Sequence, residues 1–319
     1  MITLREDAAI TSVLGVQAYT FGLWIAAGML LAASVLILFH RRSKPGTAAL
    51  QSVLSICLGL VISRLLYGLT DDTIGQRSPL WVLVRLNLGG YSLFGVLIGM
   101  AAAALLTARI TKQPFRICID PAAPAFLVFT LCERIGEGTL TDVLEGFGWS
   151  RELIYQELPG SFLSITDGND AWYLATWRME AVIAAVLFCL LMYWMLKPAG
   201  CKSPFLRFMM LFGATQIIME SLRHDLHMTL ISFVRMEQIL SMVLLGVAVG
   251  ILAVRLWKTH RALALAALIS IPVVTGAAIG IEFMIDRTDI SRYLLYIAFV
   301  LLVTVPVVLG FCLLKEDRG

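Results

Sequence analysis

Charge is what this chain has least of. Only 15% of its 319 residues are Asp, Glu, Lys or Arg, 59% are hydrophobic, and the mean hydropathy is +0.85. A soluble domain needs about 25% charged residues to cover its surface, so that class is excluded and a polytopic membrane protein remains. The net charge of +3 decides nothing by itself, and no nucleic-acid partner is expected. Cysteines are few and unclustered: Cys57, Cys118, Cys132, Cys189, Cys201 and Cys312 include no CxxC pair. A thiolate metal site and a dithiol redox site are therefore excluded, and six free thiols are expected. No cofactor is called for. The opening MITLREDAAI lacks a basic region ahead of a cleavable apolar one, so the first span is expected to stay in the protein. Internal repeats and low-complexity linkers are also missing.

What is present is a series of apolar runs of the length a bilayer requires, about 20 residues for a helix. They lie near 18–39, 47–69, 87–108, 121–136, 174–196, 205–222, 238–257, 262–284 and 292–314. The fold class is thus all-α, a polytopic membrane helix bundle of about nine transmembrane helices. The fourth run is short and is expected to tilt, to be buried among its neighbours or to span only partly. GVAVG (246–250) and GAAIG (276–280) are expected to mark close helix packing.

Lysine is scarce and one-sided. All six lysines (44, 112, 197, 202, 258, 315) follow odd-numbered spans, whereas Glu6, Asp7, Asp71, Asp72, Asp167, Asp170, Asp286 and Asp289 lie at the other ends. Because cytoplasmic loops retain Lys and Arg, the N-terminus is expected outside and the C-terminus in the cytoplasm. The connection from 137 to 172 then forms a small extracytoplasmic head.

Against this apolar background, the charges closing the fourth run stand out: Glu133, Arg134 and Glu137, followed by Asp142 and Glu145. Ionisable groups at the end of a membrane helix cost a few kcal/mol unless they meet a partner or a polar cavity. Two readings stand side by side, a site on the outer face and a set of ion pairs that satisfy one another. Glu220 and Arg223 share a helical face at i, i+3, and Glu180 is expected to cap or pair within the bundle. His224 and His227 have a spacing open to a metal, but an interfacial pair facing water is the commoner arrangement.

Several short segments, in order, resemble one family. GGYSLFGVLIGM (89–100), AAPAF (122–126) and ERIGEG (133–138) are similar to the signatures of the prolipoprotein diacylglyceryl transferases, with Arg134 ten residues after Pro124 as in that family. YTFGL (19–23), SRLLY (63–67), TWRMEA (176–181), MESLR (219–223) and EQILSM (237–242) continue the resemblance. Residues 1–257 are accordingly read as a seven-span domain of that type, and 258–319 as two added spans that are dispensable for a lipid site. The chain departs from the family pattern at Phe94 (family His), Glu137 (family Asn) and Gln216 (family Arg).

The resemblance implies transfer of a diacylglyceryl group from phosphatidylglycerol to the lipobox cysteine of a lipoprotein precursor, at the outer face of a bacterial cytoplasmic membrane. Expected partners are phosphatidylglycerol, that precursor and membrane lipids. Arg134 would hold the phosphate, since a guanidinium stays charged and donates bidentately, with Arg64, Arg223 and Glu220 completing the phospholipid-binding set. Glu137 and Asp142 are the candidate catalytic carboxylates that would favour the thiolate, or else Glu137 pairs with Arg134. Two alternatives follow from the departures: a lipid-modifying transferase with another acceptor, or a non-catalytic phospholipid-binding membrane protein.

The lysine asymmetry gives a direct test. In a cysteine-free background, Gly168→Cys is expected to react with a membrane-impermeant thiol reagent in intact cells, and Lys202→Cys is not. The reverse pattern overturns the orientation.

Overall fold

A computed structural model describes residues 9–13, 16–41, 43–70, 90–139, 160–166, 172–197, 202–223, 229–231, 234–288 and 290–317. Among them, nine helices are long and apolar enough to cross a membrane. They are α1 (Thr20–Phe39), α2 (Thr47–Thr70), α3 (Leu93–Thr111), α4 (Phe115–Glu137), α5 (Thr176–Leu196), α6 (Pro204–Leu222), α7 (Met236–Leu256), α8 (Arg261–Arg287) and α9 (Arg292–Glu316). Three short antiparallel hairpins accompany them: β1 (Ala9–Val13) with β2 (Val16–Tyr19), β3 (Ser164–Thr166) with β4 (Trp172–Leu174), and β5 (Thr229–Ile231) with β6 (Val234–Arg235). The protein is a multi-pass helical membrane protein. The chain divides into two compact units, Met1–Gly200 with Leu222–His227, and Cys201–Ser221 with Met228–Gly319.

In the first unit α4 is the organising element, packed by α1, α3 and α5 and the most buried of the nine helices. It runs 23 residues, about 34 Å at 1.5 Å per residue, so the short, partly spanning alternative is corrected and burial among its neighbours is the one observed. Arg116 and Asp120, ahead of the fourth apolar run, lie on helix: Arg116 Nε meets Asp120 Oδ2 at 3.1 Å on the exposed side. Pro121 and Pro124 sit inside α4, where each removes one ladder hydrogen bond. Gln51 Nε2 of α2 donates to the Cys118 carbonyl at 2.7 Å, and His40 Nε2 lies 2.7 Å from Gln51 Oε1. His40, just past α1, is buried, and desolvation holds its imidazole below the usual range. At the same end of α2, Lys44 Nζ donates to Thr111 O and Gln113 Nε2 to Thr47 Oγ1, both at 2.7 Å.

The closest helix contact is between α2 and α3. A Cβ at Gly95 would overlap the Ser63 backbone, and one at Gly99 would lie 2.5 Å from Gly59 Cα. GVLIG (95–99) is therefore the small-xxx-small contact of this unit. Gly250, Gly276 and Gly280, for which packing was expected, face open space instead, and only Gly246 comes near a partner, 3.3 Å from Ile271. α3 starts behind Ser92, whose Oγ caps Gly95 N and whose carbonyl accepts from Ser63 Oγ at 2.8 Å.

In the second unit α7 packs against both α8 and α9. Gly213 of α6 lets the Ser241 carbonyl of α7 approach, and Gly310 of α9 does the same for the Met210 sulfur. Gln238 Nε2 donates to Glu282 Oε1 at 2.9 Å, closing one end of an apolar cavity of about 510 Å3 bordered by Met242, Gly246, Ile271 and Phe299. At the opposite end Asp317 accepts from Lys202 and lies 3.4 Å from Arg255.

Contrasting glycines test this packing. Gly99→Val is expected to destabilise the protein by about 1–3 kcal/mol through overpacking, while Gly276→Ala, in open space, leaves thermal unfolding in detergent essentially unchanged. Equal effects would refute the assignment.

Candidate functional site

The last turn of α4 reads Glu133-Arg134-Ile135-Gly136-Glu137. Helical geometry places Arg134 and Glu137 on one face, at i and i+3, and Arg134 Nη1 donates to Glu137 Oε2 at 2.6 Å. Glu180, the fifth residue of α5, brings its Oε2 within 2.5 Å of Arg134 Nε. Arg223, directly after α6, donates through Nη2 to Glu137 Oε1 at 2.9 Å and Oε2 at 3.3 Å, and lies 3.7 Å from Glu180 Oε2. Glu133 Oε2 completes the cluster 3.4 Å from Arg134 Nε.

The exposures grade from bottom to mouth. Side chains are 0% exposed at Glu180, 5% at Arg134, 7% at Arg223, 17% at Glu137 and 19% at Glu133. Glu180 is thus the fixed counterion underneath both guanidiniums, and Glu133 and Glu137 edge the opening. A lone buried charge costs several kcal/mol, which is why these residues occur as a group. Arg134 Nε is taken by the buried Glu180 carboxylate, with Glu133 beside it.

Glycines let aromatic rings close over this turn. A Cβ at Gly136 would come within 2.8 Å of Trp24 Cβ, and one at Gly138 within 2.5 Å of the Trp177 ring. Arg178, beside that ring at 4.7 Å, donates to the carbonyls of Phe162 (2.8 Å) and Ser164 (3.3 Å), fastening the β3–β4 hairpin to the start of α5. Its role is structural positioning.

Of the expected site residues, the structure brings Arg134, Glu137 and Arg223 together. Arg64 is fully buried in α2, donating to Gly90 O at 2.9 Å with its guanidinium 4.9 Å over the Tyr91 ring. Gly90 has φ +77, and a Cβ there would overlap Tyr67, so this turn requires glycine. Glu220 is buried in α6, in the second unit. Asp142, His224, His227 and most of the expected head lie outside the described residues. Glu133 and Glu180 were not among the expected phospholipid-binding or catalytic residues, although Glu133 was read with the charges closing the fourth run and Glu180 was expected to cap or pair within the bundle, as it does with Arg134. Their signal was present: each is a carboxylate at the edge of an apolar span with no charge partner in register on its own helix. Among the described residues, no group of three His, Cys, Asp or Glu is placed to hold a metal.

A family model described as prolipoprotein diacylglyceryl transferase matches residues 8–254, ending before α8. A protein named phosphatidylglycerol–prolipoprotein diacylglyceryl transferase from Mannheimia succiniciproducens is 29% identical over 205 residues, 63% of this chain and 72% of its own. Its namesake from Yersinia enterocolitica is 26% identical over 281 residues, covering 79% and 94%. That from Lactiplantibacillus plantarum is 23% identical over 253 residues, covering 77% and 87%.

The exposure gradient predicts unequal costs. Glu180→Ala, which strips both guanidiniums of their buried counterion, is expected to cost about 3–5 kcal/mol. Glu133→Ala, whose side chain is part-exposed but whose Oε2 is buried, is expected to cost less, about 1–2 kcal/mol. Thermal unfolding of the purified variants measures both, and a larger loss at Glu133 would invert the assignment.

Proposed function

The chain belongs to the prolipoprotein diacylglyceryl transferase family, and on that premise we propose that it moves a diacylglyceryl group from phosphatidylglycerol to the cysteine thiol of a lipoprotein precursor. The supporting observation is the pair of buried guanidiniums, Arg134 and Arg223, at the end of a membrane helix with Glu180 beneath them. With the lysine-rich ends in the cytoplasm, this cluster lies toward the outer face, where exported precursors arrive.

The chemistry makes one bond and breaks one. The cysteine sulfur forms a C–S bond to the glyceryl carbon, the C–O bond to phosphate breaks with its electron pair going to oxygen, and glycerol phosphate leaves. Arg134 and Arg223 take the phosphate and stabilise the charge that grows on it. The thiol proton passes to a carboxylate, Glu137 at the mouth or Asp142 beyond it.

A second reading, a lipid-modifying transferase with another acceptor, is favoured by Phe94. A buried phenyl ring in α3 stands where the family has His, and it moves no proton.

The assay is turnover of phosphatidylglycerol with a lipobox peptide by the purified protein. Arg134→Ala is expected to slow turnover about a hundredfold to a thousandfold, as for loss of one preorganised charge contact, with Arg134→Lys between. Turnover that an Arg134→Ala variant of normal thermal stability retains in full would overturn the role of Arg134. Wild-type binding of phosphatidylglycerol without turnover, where a family enzyme works, would leave a non-catalytic lipid-binding protein.

A further inference from the structure

We infer that Glu137 is an internal competitor of the lipid phosphate: its carboxylate holds the position between Arg134 and Arg223 that a phosphodiester takes, and the two anions exchange there. This rests on the reading of Arg134 and Arg223 as the phosphate holders, and it adds a selectivity device to that site.

The geometry carries it first. Glu137 Oε2 is 2.6 Å from Arg134 Nη1, and its two oxygens lie 2.9 and 3.3 Å from Arg223 Nη2. One carboxylate therefore spans both guanidiniums, the bridging that a phosphodiester's two free oxygens make with arginines. Charge carries it second. Glu180 and Glu133 already set two carboxylates against the two guanidiniums, so the place between Arg134 and Arg223 takes one further monoanion at most, Glu137 or a phosphodiester. Both together, beside Glu133, would place like charges within a few ångströms of one another, which is destabilising in a site screened from water. Position carries it third. Glu137 is the last residue of α4, keeps 17% of its side chain exposed, and precedes Gly138, whereas Glu180 has no exposure and no way out. Glu137 can leave without breaking a helical turn.

The exchange works in both directions. A returning Glu137 displaces glycerol phosphate, so the residue tunes both lipid affinity and product departure. A neutral amide of the same size cannot compete, and it turns the site into a tighter anion binder.

The test is lipid binding to wild type and Glu137→Gln in detergent micelles, with phosphatidylglycerol, diacylglycerol and free glycerol phosphate as probes. Glu137→Gln is expected to bind phosphatidylglycerol about tenfold tighter, with diacylglycerol unchanged because it carries no phosphate. Arg134→Ala in the Glu137→Gln background is expected to abolish the gain. Should Glu137→Gln fold poorly, Glu137→Asn makes the same test. Unchanged or weaker phosphatidylglycerol binding by a well-folded amide variant overturns the exchange. If Arg134→Ala still weakens wild-type binding in that case, the phosphate reading survives it; if Arg134→Ala changes binding in neither background, that reading falls as well. A gain for glycerol phosphate alone also overturns the proposal, by showing a site for free phosphate and not for lipid.

Discussion

The contact on which the first unit depends is the ion pair between Arg134 of α4 and Glu180 of α5, one side chain 5% exposed and the other 0%. Neither charge is tolerable alone at that depth, because desolvation of an ion exceeds what any single hydrogen bond returns. The pair therefore fixes the end of α4 against the start of α5, and the rest follows from that. Gly136 and Gly138 are glycine because Trp24 and Trp177 close over the turn. Arg178 takes the β3–β4 hairpin because its own carbonyl partners, Phe162 and Ser164, sit just outside the cluster. Arg223 enters last, through Glu137.

At the other end of α4 the constraint is backbone, not charge. Pro121 and Pro124 remove the ladder donors to the Ile117 and Asp120 carbonyls, and the amide of Gln51 ties the neighbouring Cys118 carbonyl to α2. His40 in turn holds Gln51, kept neutral by burial. A helix that carries buried charge at one end and broken hydrogen bonds at the other needs neighbours all round it. α4 accordingly has the largest buried share of the nine.

How much of this was legible depended on whether a signal was local. Apolar runs are local, so all nine spans were found. The start of α4 was missed because Arg116 and Asp120 look like loop charges until their i, i+4 pairing is seen on helix. Helix packing is not local: GVAVG, GAAIG and GVLIG are equivalent as strings, yet only the last meets a facing backbone. The cluster was half legible. Arg134 and Glu137 announce each other by spacing, and Arg223 by its resemblance to a family motif. Glu180 lies 46 residues from Arg134, and no periodicity connects them.

The two helices beyond the family match raise a separate question of attachment. The match stops at residue 254, while α8 begins at Arg261. Yet Gln238, at the start of α7 within the matched region, gives its amide hydrogen to Glu282 of α8. Met210 of α6 meets Gly310 of α9. An added helix that only filled space would bury apolar groups; a buried carboxylate accepting from a matched-region amide is a costlier choice and ties α8 to one register. The ion cluster, by contrast, draws all five members from the first unit. Losing α8 and α9 would thus strip a hydrogen-bond partner from α7 and a packing partner from α6, without removing a member of the ion cluster. α9 also reaches the last turn of α6, where Tyr296 donates to the Ser221 carbonyl at 3.2 Å, so the added helices brace the second unit along α6.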